Sequence, residues 1–356
     1  MEYNFIISFL SFLLVLTPIV FIHELGHFFI ARQFNVHVEI FSVGFGPVLF
    51  SKKDKYGTLW QLASIPVGGF VKMQGDFIIK SKKDNVNFKE GDFNSAKAWQ
   101  RFLIVLAGPL ANVLLTILII TGIYLFIGKY EIPSTISSVV KGSAAEQGGL
   151  LSEDEILKIN NIKVNDFFKV RQIIMENPGK ELLIEISRDN QIKEIFITPK
   201  SVWSEKLELN IGQIGVVFNN GSLKRYGFSE SIFYAFIDTV DLIRSMIRGL
   251  KRIVSGNVQQ GEVGGPIRIA ELSGQALISG WLSLLYFGAL ISVNLALINL
   301  LPIPALDGGH MVLYLIEMIF RRPLPEKMQN MLLRLGLSLL LALMIMITFI
   351  DLNRYF

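Results

Sequence analysis

The residues best suited to chemistry stand in "FIHELGHFFI", residues 21–30, where His23, Glu24 and His27 interrupt an apolar run. His23 and His27 are four apart, so on a helix both imidazoles fall on one face. His-Glu-x-x-His on a helix is a metallohydrolase arrangement: the two imidazoles bind zinc and the adjacent glutamate acts on a water as general base. Catalytic zinc takes three protein ligands and keeps a fourth position open, so the pair is one ligand short. The chain has no cysteine and four histidines, His23, His27, His37 and His310. The best candidate for the missing ligand is Asp307, in "INLLPIPALDGGH" (298–310). Pro302 and Pro304 interrupt the helix there and Gly308 and Gly309 loosen the backbone, so a carboxylate can turn inward. His37 reads as a loop histidine. His310 reads as an interfacial one, with a supporting place beside Asp307 as the alternative. Glu317 and Glu326 read as interfacial acids. Asn294 and Asn299 either bond between helices, as membrane amides do, or hold a substrate backbone.

These residues need elements to position them. With 51% hydrophobic and only 18% charged residues, the chain is too apolar for a soluble pair of domains. Four stretches reach the roughly 20 apolar residues that a bilayer requires: about Phe5–Ala31, Phe102–Ile127, Leu277–Leu301 and Leu332–Ile350. The first lacks a basic flank and a small-residue cleavage pattern, so it is expected to be a retained helix rather than a signal. The loop 32–101 carries eleven Lys or Arg, and the loop after the third span carries Arg321, Arg322 and Lys327, with Arg334 close by. The N-terminal flank has none and the C-terminal tail only Arg354. By the positive-inside rule both basic loops are cytoplasmic and both termini lie outside, with the long segment 129–274. The first and third spans then run the same way. That puts the His-Glu-x-x-His cluster and Asp307 at similar depth.

The remaining segments divide by composition. Residues 38–73 alternate short β-prone runs with turn signals at Asp54–Gly57 and Gly68-Gly69. They are expected to form hairpins that dip partly into the membrane, with an edge able to accept an extended peptide. The alternative is a structural sheet capping the helices. Residues 77–97 are polar and read as a cytoplasmic loop. In the second span, Gly108, Pro109, Ala111 and Asn112 suit close helix packing. Outside, residues 136–199 read as a compact α+β module. Residues 229–253, with Arg244, Arg248, Lys251 and Arg252 among apolar residues at helical spacing, predict an amphipathic helix on the membrane surface.

The motifs H23-E-L-G-H27, L306-D307-G and "VVKGSAAEQGGLLSEDEILKINN", the last a PDZ-domain signature, together resemble the site-2 protease family. "FSVGFG", "IPVGGFVKMQGD", "VGGPIRIA" and "ALISVNLALINLLPIPALDGGHM" are similar to recurring segments of its bacterial regulator of sigma-E branch. The resemblance covers nearly the whole chain. It implies a polytopic α-helical membrane protein with four transmembrane helices, a membrane-associated β-hairpin region and an inserted extracytoplasmic PDZ domain. The implied divisions are 1–128 and 277–356 for the membrane core, 129–202 for the PDZ domain and 203–276 for a linker with the amphipathic helix.

The implied activity is an intramembrane zinc metalloprotease that cuts transmembrane segments of single-span proteins, such as an anti-sigma factor or signal-peptide remnants. An upstream site-1 protease would trim the substrate first, and the PDZ module would filter by size or sense that trimming. Carried over by motif, His23, His27 and Asp307 match the zinc ligands and Glu24 the catalytic glutamate. Asn294 and Asn299 match substrate-handling asparagines, and Gly69, Phe70 and Val71 a substrate-engaging strand. The location implied is the bacterial inner membrane, with the active site towards the cytoplasm and no nucleic-acid partner. Two features depart from the branch. There is one PDZ module where its best-known members have two, and Glu153 stands where the signature has glycine. Two other classes compete. A non-catalytic receptor with a structural metal would want four closed ligands, and an ion transporter would want polar groups along a path rather than at one depth.

Overall fold

The computed structural model describes residues 5–75, 90–164, 166–205, 209–255 and 264–352. Most of the polar loop expected at 77–97 lies outside the described residues. The chain divides into two units: residues 1–122, 229–250 and 264–356 form one, and residues 123–228 and 251–263 the other.

The first unit opens with α1 (Phe5–Gln33), then β1 (Val38–Lys53), β2 (Leu59–Met73) and α2 (Ala98–Phe126). Leucine, isoleucine and phenylalanine dominate α1 and α2 all round, so these helices are apolar on every face and suited to lipid. The strands bend, so that residues 38–43 pair antiparallel with 69–73 on one side, while residues 40–43 align with 59–62 on the other in a register that rises together. Residues 59–63 in turn pair with 48–53. The segments 69–73 and 48–53 are therefore the outer edges. Gly68 and Gly69, expected at a turn, lie within β2 where the chain reverses between its segments 59–62 and 69–73, which flank 40–43 on opposite sides. Phe41, fully buried, stacks on Trp60 at 4.4 Å and meets Phe28 of α1 edge-on at 5.5 Å. This fixes the sheet against the helix. A latch closes the same face: Asp54 accepts from Arg32, from Trp60 Nε1 and from the N–H groups of Tyr56 and Thr58. Farther along, Thr17 donates to Pro66 O at 2.9 Å. Arg32 and Thr17 are fifteen residues apart, so the hairpin runs about 22 Å along α1 at 1.5 Å per residue.

In the second unit, β3 (Lys129–Glu131), β4 (Ile136–Val139), α3 (Ala144–Gln147), β5 (Glu155–Ile159), β6 (Ile162–Lys163), α4 (Phe167–Met175), β7 (Leu182–Arg188) and β8 (Gln191–Ile197) follow one another. They surround a core that includes Ile136, Leu150, Ile156, Ile184 and Ile186. After them come β9 (Lys200–Ser204), β10 (Leu209–Gln213), β11 (Val216–Phe218) and β12 (Ser222–Lys224). β11 pairs with β4, and Ile214 belongs to the same core. The unit therefore continues past the boundary expected at 202, because β4 finds its partner after that point.

α5 (Phe228–Val254) has one strongly apolar and one charged face, acidic in its first half (Glu230, Asp238, Asp241) and basic in its second (Arg244, Arg248, Lys251, Arg252). α6 (Pro266–Ile278), too short to span, packs on α1, where Gly274 meets Ser8. α7 (Trp281–Asn299), α8 (Asp307–Phe320) and α9 (Glu326–Leu352) complete the chain. α1, α2, α7 and α9 are long and apolar enough to cross a membrane. The prolines at 302 and 304 separate α7 from α8, as expected. Gly308 and Gly309, however, serve close approach rather than looseness. A β-carbon there would sit 2.2 Å from Leu301 O and 2.4 Å from Ile303 O, so the loop can fold back over the start of α8 only if both are glycine.

Candidate metal centre

His23 and His27 lie late in α1, buried at 6% and 8% exposure, on the face turned to α2. The helices meet backbone to backbone there. A β-carbon at Gly26 would lie 2.4 Å from Ala107 O, and one at Gly108 would lie 2.3 Å from His27 Nε2 and 2.9 Å from His23 Cε1. Any side chain at 108 would occupy the space of the imidazoles. Asp307, the first residue of α8, brings its carboxylate to the same point. His23 Nε2 lies 3.1 Å from Asp307 Oδ2, His27 Nε2 lies 3.7 Å from it, and the two Nε2 atoms are 3.3 Å apart.

This geometry suits a cation. His27 Nδ1 donates to Ile104 O at 2.9 Å, which leaves a lone pair on its Nε2. Asp307 Oδ2 is buried with no hydrogen-bond partner, an arrangement that costs stability unless something positive satisfies it. A tetrahedral zinc with bonds of roughly 2.0–2.1 Å separates its ligand atoms by about 3.3–3.4 Å. The three observed separations bracket that value, so the donor set reaches zinc geometry with shifts of a few tenths of an ångström.

Glu24 lies beside this triangle, next to His27 and Asp307. Its neighbour is the edge segment of β2: the Val71 N–H bonds to Glu24, and a β-carbon at Gly69 would sit 3.3 Å from Glu24 Cγ. Phe70 points elsewhere, stacked on Phe45 at 6.1 Å. Asn299, the last residue of α7, brings its amide nitrogen to 3.2 Å from His23 Nε2. Asn294 is five residues earlier, about 140° round the helix from Asn299. Among the described residues no hydrogen bond joins Asn294 to the cluster. His37 lies by the β1–β2 turn, near Gly57. His310, one turn beyond Asp307, stands outside the three-residue group.

Sequence reasoning treated Gly108 and Asn112 as packing residues, yet both touch the histidines. Asn112 presents its amide to His23 Nδ1 at 3.3 Å. Its own main-chain oxygen accepts from Thr116 and from Ser292 of α7. Their four-residue spacing, repeated from Ile104, was the available signal. All three lie on one face of α2.

Comparison with known proteins agrees with this chemistry. A model of peptidase family M50 matches residues 11–343. A Rickettsia conorii protein named as a candidate zinc metalloprotease is 38% identical over 98% of this chain and 99% of its own length. Another so named, from Agrobacterium fabrum, is 33% identical over 96% of this chain and 94% of its own. A solved PDZ domain of an SdrC-like protein from Listeria innocua aligns with 26% of this chain and 99% of its own, at 18% identity and a TM-score of 0.22. The chain thus belongs to peptidase family M50, the zinc metalloproteases of site-2 type, and is a multi-pass membrane enzyme.

Proposed function

We propose that this enzyme hydrolyses peptide bonds inside the transmembrane segments of single-span membrane proteins. His23, His27 and Asp307 would hold the zinc, and Glu24 would serve as general base. The observation that carries the reading is the convergence of three ligand atoms beside Glu24, two of them from α1, a helix apolar enough to span a bilayer, and the third from the start of α8. Zinc bound there supplies Lewis-acid polarisation of the scissile carbonyl and makes a bound water acidic enough to react near neutral pH. Glu24 takes the proton of the attacking water and returns it to the leaving amide nitrogen. Asn299, whose amide nitrogen lies 3.2 Å from His23 Nε2, donates to the substrate backbone. Asn294 remains a substrate contact by motif alone.

A transmembrane substrate arrives helical, with its backbone groups bonded internally. Cleavage requires an extended stretch, and the outer edge at Gly69, Phe70 and Val71 offers replacement backbone partners next to Glu24. The hairpin's reach to Thr17, with Phe45, Val48, Leu49 and Phe50 exposed at 47–68%, suits immersion in lipid beside α1. The second unit would be an extracytoplasmic PDZ domain that selects substrates trimmed by an upstream site-1 protease, with both termini on the same side. The membrane is the bacterial inner membrane, and the branch is that of the regulator of sigma-E. Anti-sigma factors and signal-peptide remnants are the substrate classes.

The test is reconstitution with a single-span reporter in liposomes. Fragments cut within the span, lost with phenanthroline and regained with zinc, are the expected result. Digestion of a soluble protein with the reporter's span left intact would contradict the reading.

A further inference from the structure

The two histidines are held differently. His27 has its tautomer set by a backbone carbonyl, since Nδ1 donates to Ile104 O. His23 has no such carbonyl; its Nδ1 faces the side-chain amide of Asn112 at 3.3 Å, with Nδ2 the nearer atom. Asn112 is fully buried, and its Oδ1 has no hydrogen-bond partner. A ligand imidazole that binds metal through Nε2 carries its proton on Nδ1 and needs an acceptor there. A donor facing that N–H repels it, whereas turning the amide by half a revolution about its last torsion brings Oδ1 into place and satisfies the orphaned atom. The nitrogen and oxygen of an amide exchange sites in such a turn with almost no change of shape.

We propose that Asn112 is the positioning residue for His23: its Oδ1 accepts the Nδ1–H of His23 and so keeps the Nε2 lone pair on the metal. This rests on the reading of His23 as a zinc ligand. The face of α2 is then a template for the pair. Ile104 O takes the proton of one imidazole, Asn112 Oδ1 takes that of the other, and Gly108, midway between them, leaves room for both rings. Interhelical packing does not account for the amide, because the α2–α7 contacts use the main-chain oxygen of Asn112 and the hydroxyls of Thr116 and Ser292.

The experiment measures zinc affinity by chelator competition on full-length protein in detergent, for wild type, Asn112→Leu, Asn112→Asp and His23→Ala. Leucine keeps the volume and removes the acceptor, and aspartate keeps the acceptor. The expected result is a 10–100-fold weaker affinity for Asn112→Leu, the usual cost of losing a partner of a metal ligand, with Asn112→Asp at or above wild type. Wild-type affinity in Asn112→Leu, or equal loss in both Asn112 variants, would overturn the proposal. Unchanged affinity in His23→Ala would overturn the ligand reading itself, a separate outcome.

Discussion

Replacing Gly108 with alanine is the smallest perturbation that addresses the metal centre without touching a donor atom. The added β-carbon would lie 2.3 Å from His27 Nε2, 2.5 Å from His27 Cε1 and 2.9 Å from His23 Cε1. Heavy atoms in contact normally stand about 3.5 Å apart, so the His27 ring must retreat by about 1 Å. Metal sites tolerate errors of about 0.2 Å in ligand placement, so Nε2 leaves the triangle. Losing an outer partner alone costs 10–100-fold in metal affinity. Displacing the ligand should cost at least about 100-fold, or about 2.7 kcal/mol. The fold should survive. Overpacking costs about 1–3 kcal/mol, and alanine returns about 1 kcal/mol of helix preference over glycine. Gly122→Ala in the same helix is the control, because a β-carbon there meets nothing within 4 Å. Zinc content by mass spectrometry and chelator competition, with helicity from circular dichroism, reads both variants. Wild-type zinc affinity in Gly108→Ala would refute the reasoning.

Three further outcomes are expected. Glu153 occupies the left-handed region at φ 65°, which costs a side chain about 1 kcal/mol. Glu153→Gly should therefore slow amide exchange around residues 136–160 of the intact protein, and unchanged or faster exchange would contradict this. Burial alone would raise the Asp54 carboxyl, but hydrogen bonds from Trp60, Arg32, Tyr56 and Thr58 outweigh it and hold it at about 2. Because that lies below the unfolded value of about 3.9, the latch's stability is complete above about pH 4 and is lost as pH falls through about 2. Trp60 fluorescence should stay flat above about pH 4 and change below it; a transition near neutrality would contradict the assignment. Arg101 pairs with Glu317 at 2.6 Å and lies over the Tyr314 ring, tying the start of α2 to α8, the helix that carries Asp307. Glu317→Gln strands a mostly buried guanidinium and should cost about 3 kcal/mol, while Arg101→Met with Glu317→Leu recovers much of it. Equal thermal destabilisation of the two variants would argue against this.

Much of the site could be read in the sequence because its signals are side chains. His23, Glu24 and His27 announce themselves by spacing. Asp307, 280 residues after His27, follows from the parity of spans and the distribution of basic residues. What stayed hidden depends on backbone. The partner of His27 is the carbonyl of Ile104, which no residue type marks. Gly108 looks like any small residue in a membrane helix until the space beside it is measured. The pairing of β11 with β4 joins two short segments across α3, α4 and six strands, so local pattern placed the boundary at 202. α6 and α8 are too short to register as spans and too apolar to read as loops.

The most direct test of the account is cleavage by Glu24→Gln alongside its zinc content. The substitution keeps the shape of Glu24 and the three proposed ligands but removes the base. The account predicts full zinc occupancy, an unchanged fold, and loss of reporter cleavage by several orders of magnitude. Undiminished cleavage with zinc in place would contradict it.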